Sequence, residues 1–330
     1  LGVNMNFLTD SIIIYSEDKI NITIHINIFI SDIDEECYFE LGLLTSSNNK
    51  SSKKINIFLP IKYDLNSCVE DLYEKFGQND NYIKLIFNEN TSIDGHDIFK
   101  IKKGAIRFCK IKKIDSDKIT LNTQQVKDGC QNYFRFRVKN IDKNLLRVEE
   151  PASSLIIDPF KRTIRVLGFH VNNARNYKKK KPILESNKIK IKEINSFLIC
   201  DIKTELIESS VEKKSFRLLE DDEWNNYIVG HKDSKKKIVY QFKKTCKDDE
   251  NIGDYKLFIK TYNTNKSLLY RIPFIVFVLS MALLANAIFD QIIKDNYSVI
   301  LHGVILLGIT SFCIFILKKI YTFAFRYCKK

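Results

Sequence analysis

The most compact set of chemistry-bearing side chains in this sequence is Asp94, Gly95, His96 and Asp97, flanked by Asn88, Glu89 and Asn90. Two carboxylates beside an imidazole can hold a divalent cation or act as a general base when they converge on one point. The same residue types also make surface turns between strands, because Asp, Asn and Gly accept the backbone angles and bond to the turn. The turn is the simpler account, and a tethered hydrolase using Asp94, His96 and Asp97 is the enzymatic alternative. A phosphate-binding loop needs glycines clustered ahead of a helix. The 11 glycines here form neither G-x-G-x-x-G nor G-x-x-x-x-G-K-[ST], and there is no G-x-S-x-G, H-E-x-x-H or zinc-finger spacing. The acidic run Glu220–Glu223 is what a first helical turn favours through the helix dipole. The sequence therefore assigns no catalytic residue, no metal ligand and no cofactor, and the chain reads as a non-enzyme.

A second set of polar residues lies in apolar surroundings. Asn286 and Asp290 are spaced i, i+4 with Ala282 inside the apolar run 272–293, and His302, Thr310 and Ser311 lie inside a second run, 297–317. Each run is about 30 Å long as a helix, enough to cross the hydrocarbon core of a bilayer. Only Lys294, Asp295 and Asn296 separate them, so the two helices must be antiparallel neighbours. Folding the hairpin about Asp295 brings Asp290 and His302 to similar depth. An ionisable group at mid-bilayer costs on the order of 3 kcal/mol to insert, so such a stripe is expected to join helices or line a water path. The alternative is that both groups reach headgroup water.

Positive charge sets the orientation. Lys266 and Arg271 precede the first run and Lys318, Lys319, Arg326, Lys329 and Lys330 follow the second, whereas the turn carries only Lys294. This asymmetry places both termini in the cytoplasm of a multi-pass protein of the inner membrane. No signal peptide is read at the N-terminus, and the eight cysteines, with no C-x-x-C pair, are expected to be free thiols in a reducing compartment.

The formal charge of +13 raises the question of an anionic partner. Arg175 and Lys178, Lys179, Lys180 and Lys181 form a run without an acid, with Tyr177 beside it. Arg135, Arg137 and Lys139 alternate with Phe134 and Phe136, so all three basic groups belong to one face of a strand. Basic groups with interleaved rings track a phosphate backbone, and the same groups hold a domain against anionic lipid headgroups. Lipid or plain solvation is the preferred reading.

The elements that must position these groups are mostly strands. Isoleucines at 20, 22, 24, 26, 28 and 30 alternate with other residues and share one sheet face. Further period-two runs are 37–44, 55–61, 82–87, 105–112, 133–140, 163–171, 188–194, 197–202, 237–242 and 255–262. They predict a mainly β cytoplasmic region, sandwich or barrel-like, over residues 1–265, with a possible subdivision near 151 at Pro151. Helices are few. One is expected over Cys68–Phe76 with Ser67 and Glu70 as a capping box and Gly77 as the stop, and another over Asp222–Ile228. Residues 266–330 form the transmembrane hairpin and its basic tail.

This layout resembles the two-transmembrane effectors of bacterial antiphage, abortive-infection systems. The resemblance rests on the two apolar runs and their short turn, under a fifth of the chain. It implies an activated soluble domain that clusters short hairpins and disrupts the inner membrane, hence a lipid bilayer and further copies of the chain as partners, and a protein or nucleic-acid trigger. The alternative is a membrane-anchored binding or scaffold protein with a passive hairpin.

Overall fold

The computed structural model describes residues 10–31, 37–45, 51–60, 64–78, 81–87, 92–93, 97–101, 104–124, 129–139, 147–151, 162–173, 181–219, 224, 227, 237–246, 250–264 and 272–294. In chain order the first elements are β1 (Ile13–Tyr15), β2 (Ile20–Ile30), β3 (Cys37–Thr45), β4 (Lys54–Phe58), α1 (Leu65–Cys68), β5 (Val69–Asp71), α2 (Tyr73–Gln78) and α3 (Asn81–Phe87). Next come β6 (Ser92–Ile93), β7 (Ile98–Ile101), β8 (Gly104–Phe108), β9 (Lys113–Ile114), β10 (Lys118–Asn122), β11 (Cys130–Val138), β12 (Arg147–Pro151) and β13 (Arg162–Val171). The chain continues through α4 (Lys181–Glu185), β14 (Ile189–Asp201), β15 (Thr204–Ser209), β16 (Lys213–Leu218), β17 (Lys237–Thr245), β18 (Tyr255–Thr264) and α5 (Ile272–Lys294).

The described residues are mainly β, with a few short helices ahead of α5. By contacts the chain divides into one unit of residues 1–149 and 165–262 and a second of residues 150–164 and 263–330. The first is built on a ten-stranded sheet of order β16-β17-β14-β2-β3-β11-β8-β7-β6, with β5 joining β11 beside that path. Pairing is antiparallel except for β14 with β2 and β11 with β8. Two four-stranded sheets accompany it, β1-β4-β10-β9 and β12-β13-β18-β15.

The isoleucine alternation in β2 explains why this sheet is central. All six isoleucines are buried and belong to one apolar cluster with Phe39, Leu41 and Leu43 of β3, Ile55 and Ile57 of β4, Ile119 and Leu121 of β10, and Leu257 and Ile259 of β18. One face of the large sheet thus shares a core with the small sheets. The other face is covered as well. Phe29, Tyr38 and Tyr133 point into a second, aromatic cluster with Leu72 and Phe76 near α2, Ile83 of α3, and Trp224 and Tyr227. A strand buried on both sides is worth roughly 1.5–3 kcal/mol per large apolar side chain relative to exposure.

Several expectations about elements are corrected. The helix expected over Cys68–Phe76 is broken. Val69–Asp71 is a strand that pairs with β11 (Val138↔Val69, Arg137↔Glu70, Phe136↔Asp71), so Glu70 lies beside Arg137 rather than capping a helix. The cap of α1 is Asp64, whose side chain accepts from the Asn66 backbone N–H. Gly77 lies within α2 rather than after it. Residues 82–87, read as a strand, belong to α3, where Ile83 reaches the aromatic cluster. The strands expected at 188–194 and 197–202 are one strand, β14, with an irregularity between Ile191 and Glu193 in its pairing with β2. Of the expected helix at 222–228, only Trp224 and Tyr227 are described, both helical and buried.

The register of β3 on β11 requires a glycine at position 42. Gly42 pairs with Arg135, and a Cβ there would run into the Tyr133 hydroxyl and lie 3.2 Å from an Arg135 guanidinium nitrogen. Gly42→Ala is therefore expected to lower stability by about 1–3 kcal/mol, the range for overpacking a tight interior. Chemical denaturation of the variant beside wild type checks this.

Candidate functional site

The densest polar constellation lies in the interior of the large sheet. Glu40 of β3 is fully buried, and two guanidiniums converge on it from the neighbouring strand. Arg135 donates to Glu40 Oε2 from Nε at 3.0 Å and Nη2 at 2.5 Å. Arg137 donates to Oε1 from Nε at 2.9 Å and Nη2 at 2.7 Å. The Tyr227 hydroxyl donates to Oε2 at 2.6 Å, and the Tyr227 carbonyl accepts from Arg137 and from Lys75 Nζ. Burial alone pushes the Glu40 carboxyl up, but the two arginines and the Tyr227 hydroxyl outweigh it and hold the carboxyl below its ordinary range. A carboxylate engaged by two bidentate arginines has no lone pair directed at a substrate. This cluster cross-links β3, β11 and the Tyr227 segment.

That geometry corrects the reading of β11 as an exposed basic face, whether for lipid, solvent or nucleic acid. Arg135 and Arg137 are 2% and 0% exposed, and Lys139 pairs with Glu70 at 2.8 Å. The alternation does put Arg135 and Arg137 on one side of β11, but it is the inner side; Lys139, just past the strand, is half-exposed. Glu40 is the residue that reverses the interpretation, and its trace in the sequence is a lone carboxylate within the apolar run CYFELGLL.

Next to the cluster, the Tyr133 hydroxyl accepts from Arg135 Nη1 at 2.8 Å and lies 3.2 Å from His25 Nδ1. Because a guanidinium only donates, the hydroxyl proton is free to point at His25, which keeps that imidazole neutral with Nδ1 as acceptor. Burial, reinforced by the Arg135 charge, lowers the His25 pKa to about 3. A cavity of about 20 Å³, bounded by His25, Asn27, Arg135, Phe197 and Trp224 among others, adjoins it. That is room for about one water, too little for an organic substrate.

The Asp94–Asp97 constellation is only partly described. Asp97 is bound to Arg107 at 3.3 Å, an ion pair across the β7–β8 hairpin; residues 94–96 lie outside the described residues. Among the described residues no group of three or more His, Cys, Asp or Glu side chains is arranged to hold a metal ion. The cysteines described, Cys37, Cys68, Cys109, Cys130, Cys200 and Cys246, are free. Burial pushes the Cys109 and Cys200 thiols up to about 12, which makes them poor nucleophiles. Arg175 and Lys178, Lys179 and Lys180 lie outside the described residues, and Lys181 opens α4.

The second unit contains the other candidate. α5 is a continuous helix of 23 residues that coincides with the first apolar run. Ala282, Asn286 and Asp290 fall on one of its faces at i, i+4 spacing. Val278, Leu279, Met281, Leu283, Ile288 and Phe289 are all exposed, Phe289 by 65%. The Ser280 hydroxyl is returned to the helix, donating to the Val276 carbonyl at 2.7 Å. Counting only the described residues, no helix is long and apolar enough to cross a membrane; the side chains described in α5 fall within 275–289. The second run, with His302, Thr310 and Ser311, lies outside the described residues.

No family model matches the chain, and comparison with curated proteins finds no match. Among solved structures, the yeast delta-COP-I mu-homology domain complexed with a Dsl1 WxWxV peptide is similar over 80% of this chain and 78% of its own length. Identity is 9% and the TM-score 0.18, values at which the likeness carries no argument about fold or function.

Proposed function

We propose that the chain is a membrane effector whose β-rich cytoplasmic region governs the association of a C-terminal helical hairpin, as in the antiphage systems its layout resembles. The observation that carries this reading is α5. A helix that leaves Val278, Leu279, Met281, Leu283, Ile288 and Phe289 exposed presents an apolar surface far beyond the scattered residues usual on a water-facing helix, and it needs lipid or protein to cover it. Asn286 and Asp290 on a single face supply the polar contact through which hairpins join. The interior of the β region supports a binding rather than catalytic role, since its buried charges are engaged with one another. In this reading the protein sits in the inner membrane with both termini in the cytoplasm, and copies of the chain are its partners there.

The test compares Asp290→Leu and His302→Leu with Ile316→Leu, at matched membrane insertion, for growth arrest and dye entry on forced expression. The two polar replacements are expected to reduce dye entry at least roughly tenfold while Ile316→Leu is neutral, because an ionisable group in the bilayer is retained only for function. If wild type never permeabilises the membrane, or if the leucine variants match it, the passive-anchor reading replaces this one.

A further inference from the structure

On the outer face of the sheet β1-β4-β10-β9, pairing gathers a set of polar side chains that the buried cluster and α5 do not involve. Asn122 lies opposite Lys54, Thr120 opposite Asn56 and Lys113, and Lys118 opposite Phe58. Ile55, Ile57, Ile119 and Leu121 alternate with them and are buried in the core, so Lys54, Lys113, Lys118, Thr120 and Asn122 share the opposite face. They line a cleft of about 340 Å³ together with Asp18, Ser52, Lys53, Lys112 and Asp115. Five lysines against two aspartates leave it formally positive.

The floor of the cleft is tied together by hydrogen bonds. The Ser16 hydroxyl donates to the Lys54 carbonyl at 2.6 Å, the Lys53 backbone N–H donates to the Thr123 hydroxyl at 2.8 Å, and the Asp115 N–H donates to the Lys118 carbonyl at 2.8 Å, closing the β9–β10 turn. Three lysines are held by neighbours: Lys113 and Lys118 pair with Asp115 at 2.6 and 3.9 Å, and Lys53 Nζ donates to the Lys19 carbonyl at 2.8 Å. The ammonium of Lys54 has no such fixed partner among the described residues. The lining contains no aromatic ring on which a base could stack, and the volume falls in the small-molecule range of about 300–1,000 Å³.

We propose that this cleft binds a compact ligand bearing two or more phosphate groups, with Lys54, Lys112, Lys113 and Lys118 meeting the phosphate oxygens and Thr120, Asn122 and Ser52 bonding to ligand hydroxyls or oxygens. The same chemistry arises from a soluble polyphosphate or from a phosphoinositide headgroup. The inference concerns the β region and stands or falls separately from the proposed role of α5.

The experiment uses the full chain in neutral detergent micelles. Inositol hexakisphosphate and inorganic pyrophosphate are titrated as free ligands, short-chain phosphatidylinositol bisphosphate is added to the micelles as a separate arm, and a single-stranded RNA serves as competitor. Saturable binding is expected, weakened about tenfold or more in Lys54→Glu/Lys113→Glu, largely restored in Lys54→Arg/Lys113→Arg, and unchanged in the charge-matched control Lys213→Glu/Lys214→Glu on exposed β16. Binding of the free ligands identifies a soluble source, and binding only in the lipid arm identifies a headgroup; either supports the site. The proposal is overturned if no arm saturates, if the control weakens binding as much as the cleft variant, or if RNA is bound more tightly than every phosphate probe.

Discussion

Replacing Glu40 with alanine is expected to destabilise the β region by about 3–5 kcal/mol, because it leaves the buried Arg135 guanidinium without a counter-charge and Arg137 with only the half-exposed Glu70 at 3.7 Å. Arg135 and Arg137 make four donations to that one carboxylate, and neither side chain is able to reach water without opening the sheet. The cost should be highly non-additive. Removing the charges together, as Glu40→Leu with Arg135→Met and Arg137→Met, should cost much less than the three single changes summed, since no charge is then orphaned. Denaturant midpoints of the single and combined variants measure this, and a single-variant cost under about 1 kcal/mol would show the cluster to be a bystander. The pH dependence has a definite sign. With its carboxyl held down in the folded state, Glu40 contributes stability that is fully present above the ordinary carboxylate pKa and is lost as pH falls below it.

His25 should dominate the response at milder acidity. Its folded pKa is lowered from 6.5 to about 3, so between those values the unfolded chain binds a proton that the folded chain refuses. The stability this burial permits is complete above the unfolded pKa and falls as pH drops through the window. The slope approaches about 1.4 kcal/mol per pH unit, giving a loss of about 2–3 kcal/mol between about pH 7.5 and about pH 4.5 from this residue alone. In His25→Gln, which keeps an acceptor for the Tyr133 hydroxyl, the loss over that interval should shrink by roughly that amount. Urea unfolding of both proteins at matched pH steps provides the comparison. Equal slopes for the two would mean that His25 is protonated in the fold.

The residues that were legible in sequence are those whose role depends on period. Alternation marked β2, β3, β11, β13, β17 and β18, because a strand with a dry face must place apolar side chains two apart. Alternation was mute on what lay across from the polar positions. Arg135 and Arg137 looked like an outer basic face because Glu40, the residue that draws them inward, lies 95 and 97 positions away. The segment at 69–71 follows a capping-box pattern yet becomes a strand because β11 offers it an edge, and 82–87 alternates yet is helical with Ile83 in the aromatic cluster; both are cases of tertiary context prevailing over local pattern. The cleft on β4 and β10 was illegible for the same reason: Lys54, Lys113 and Lys118 are scattered in sequence and meet only through strand pairing. The apolar run of α5 was the plainest signal in the chain, since helix length and hydropathy are local quantities.

The parallel seating of β14 against β2 bears on how this protein is made. Two residues at the far end of that pair, Ser31 and Asp201, bond across 170 positions of chain, and β2 and β3 form a hairpin long before β14 exists. At a synthesis rate of about 5–20 residues per second, the flank of β2 that β14 will occupy waits roughly 10–30 s beside the ribosome with its edge amides unpaired. Six isoleucines border that edge. The nascent hairpin is therefore a natural client for a holdase, and expression at reduced temperature or with extra chaperone should raise soluble yield more than any change to the finished fold.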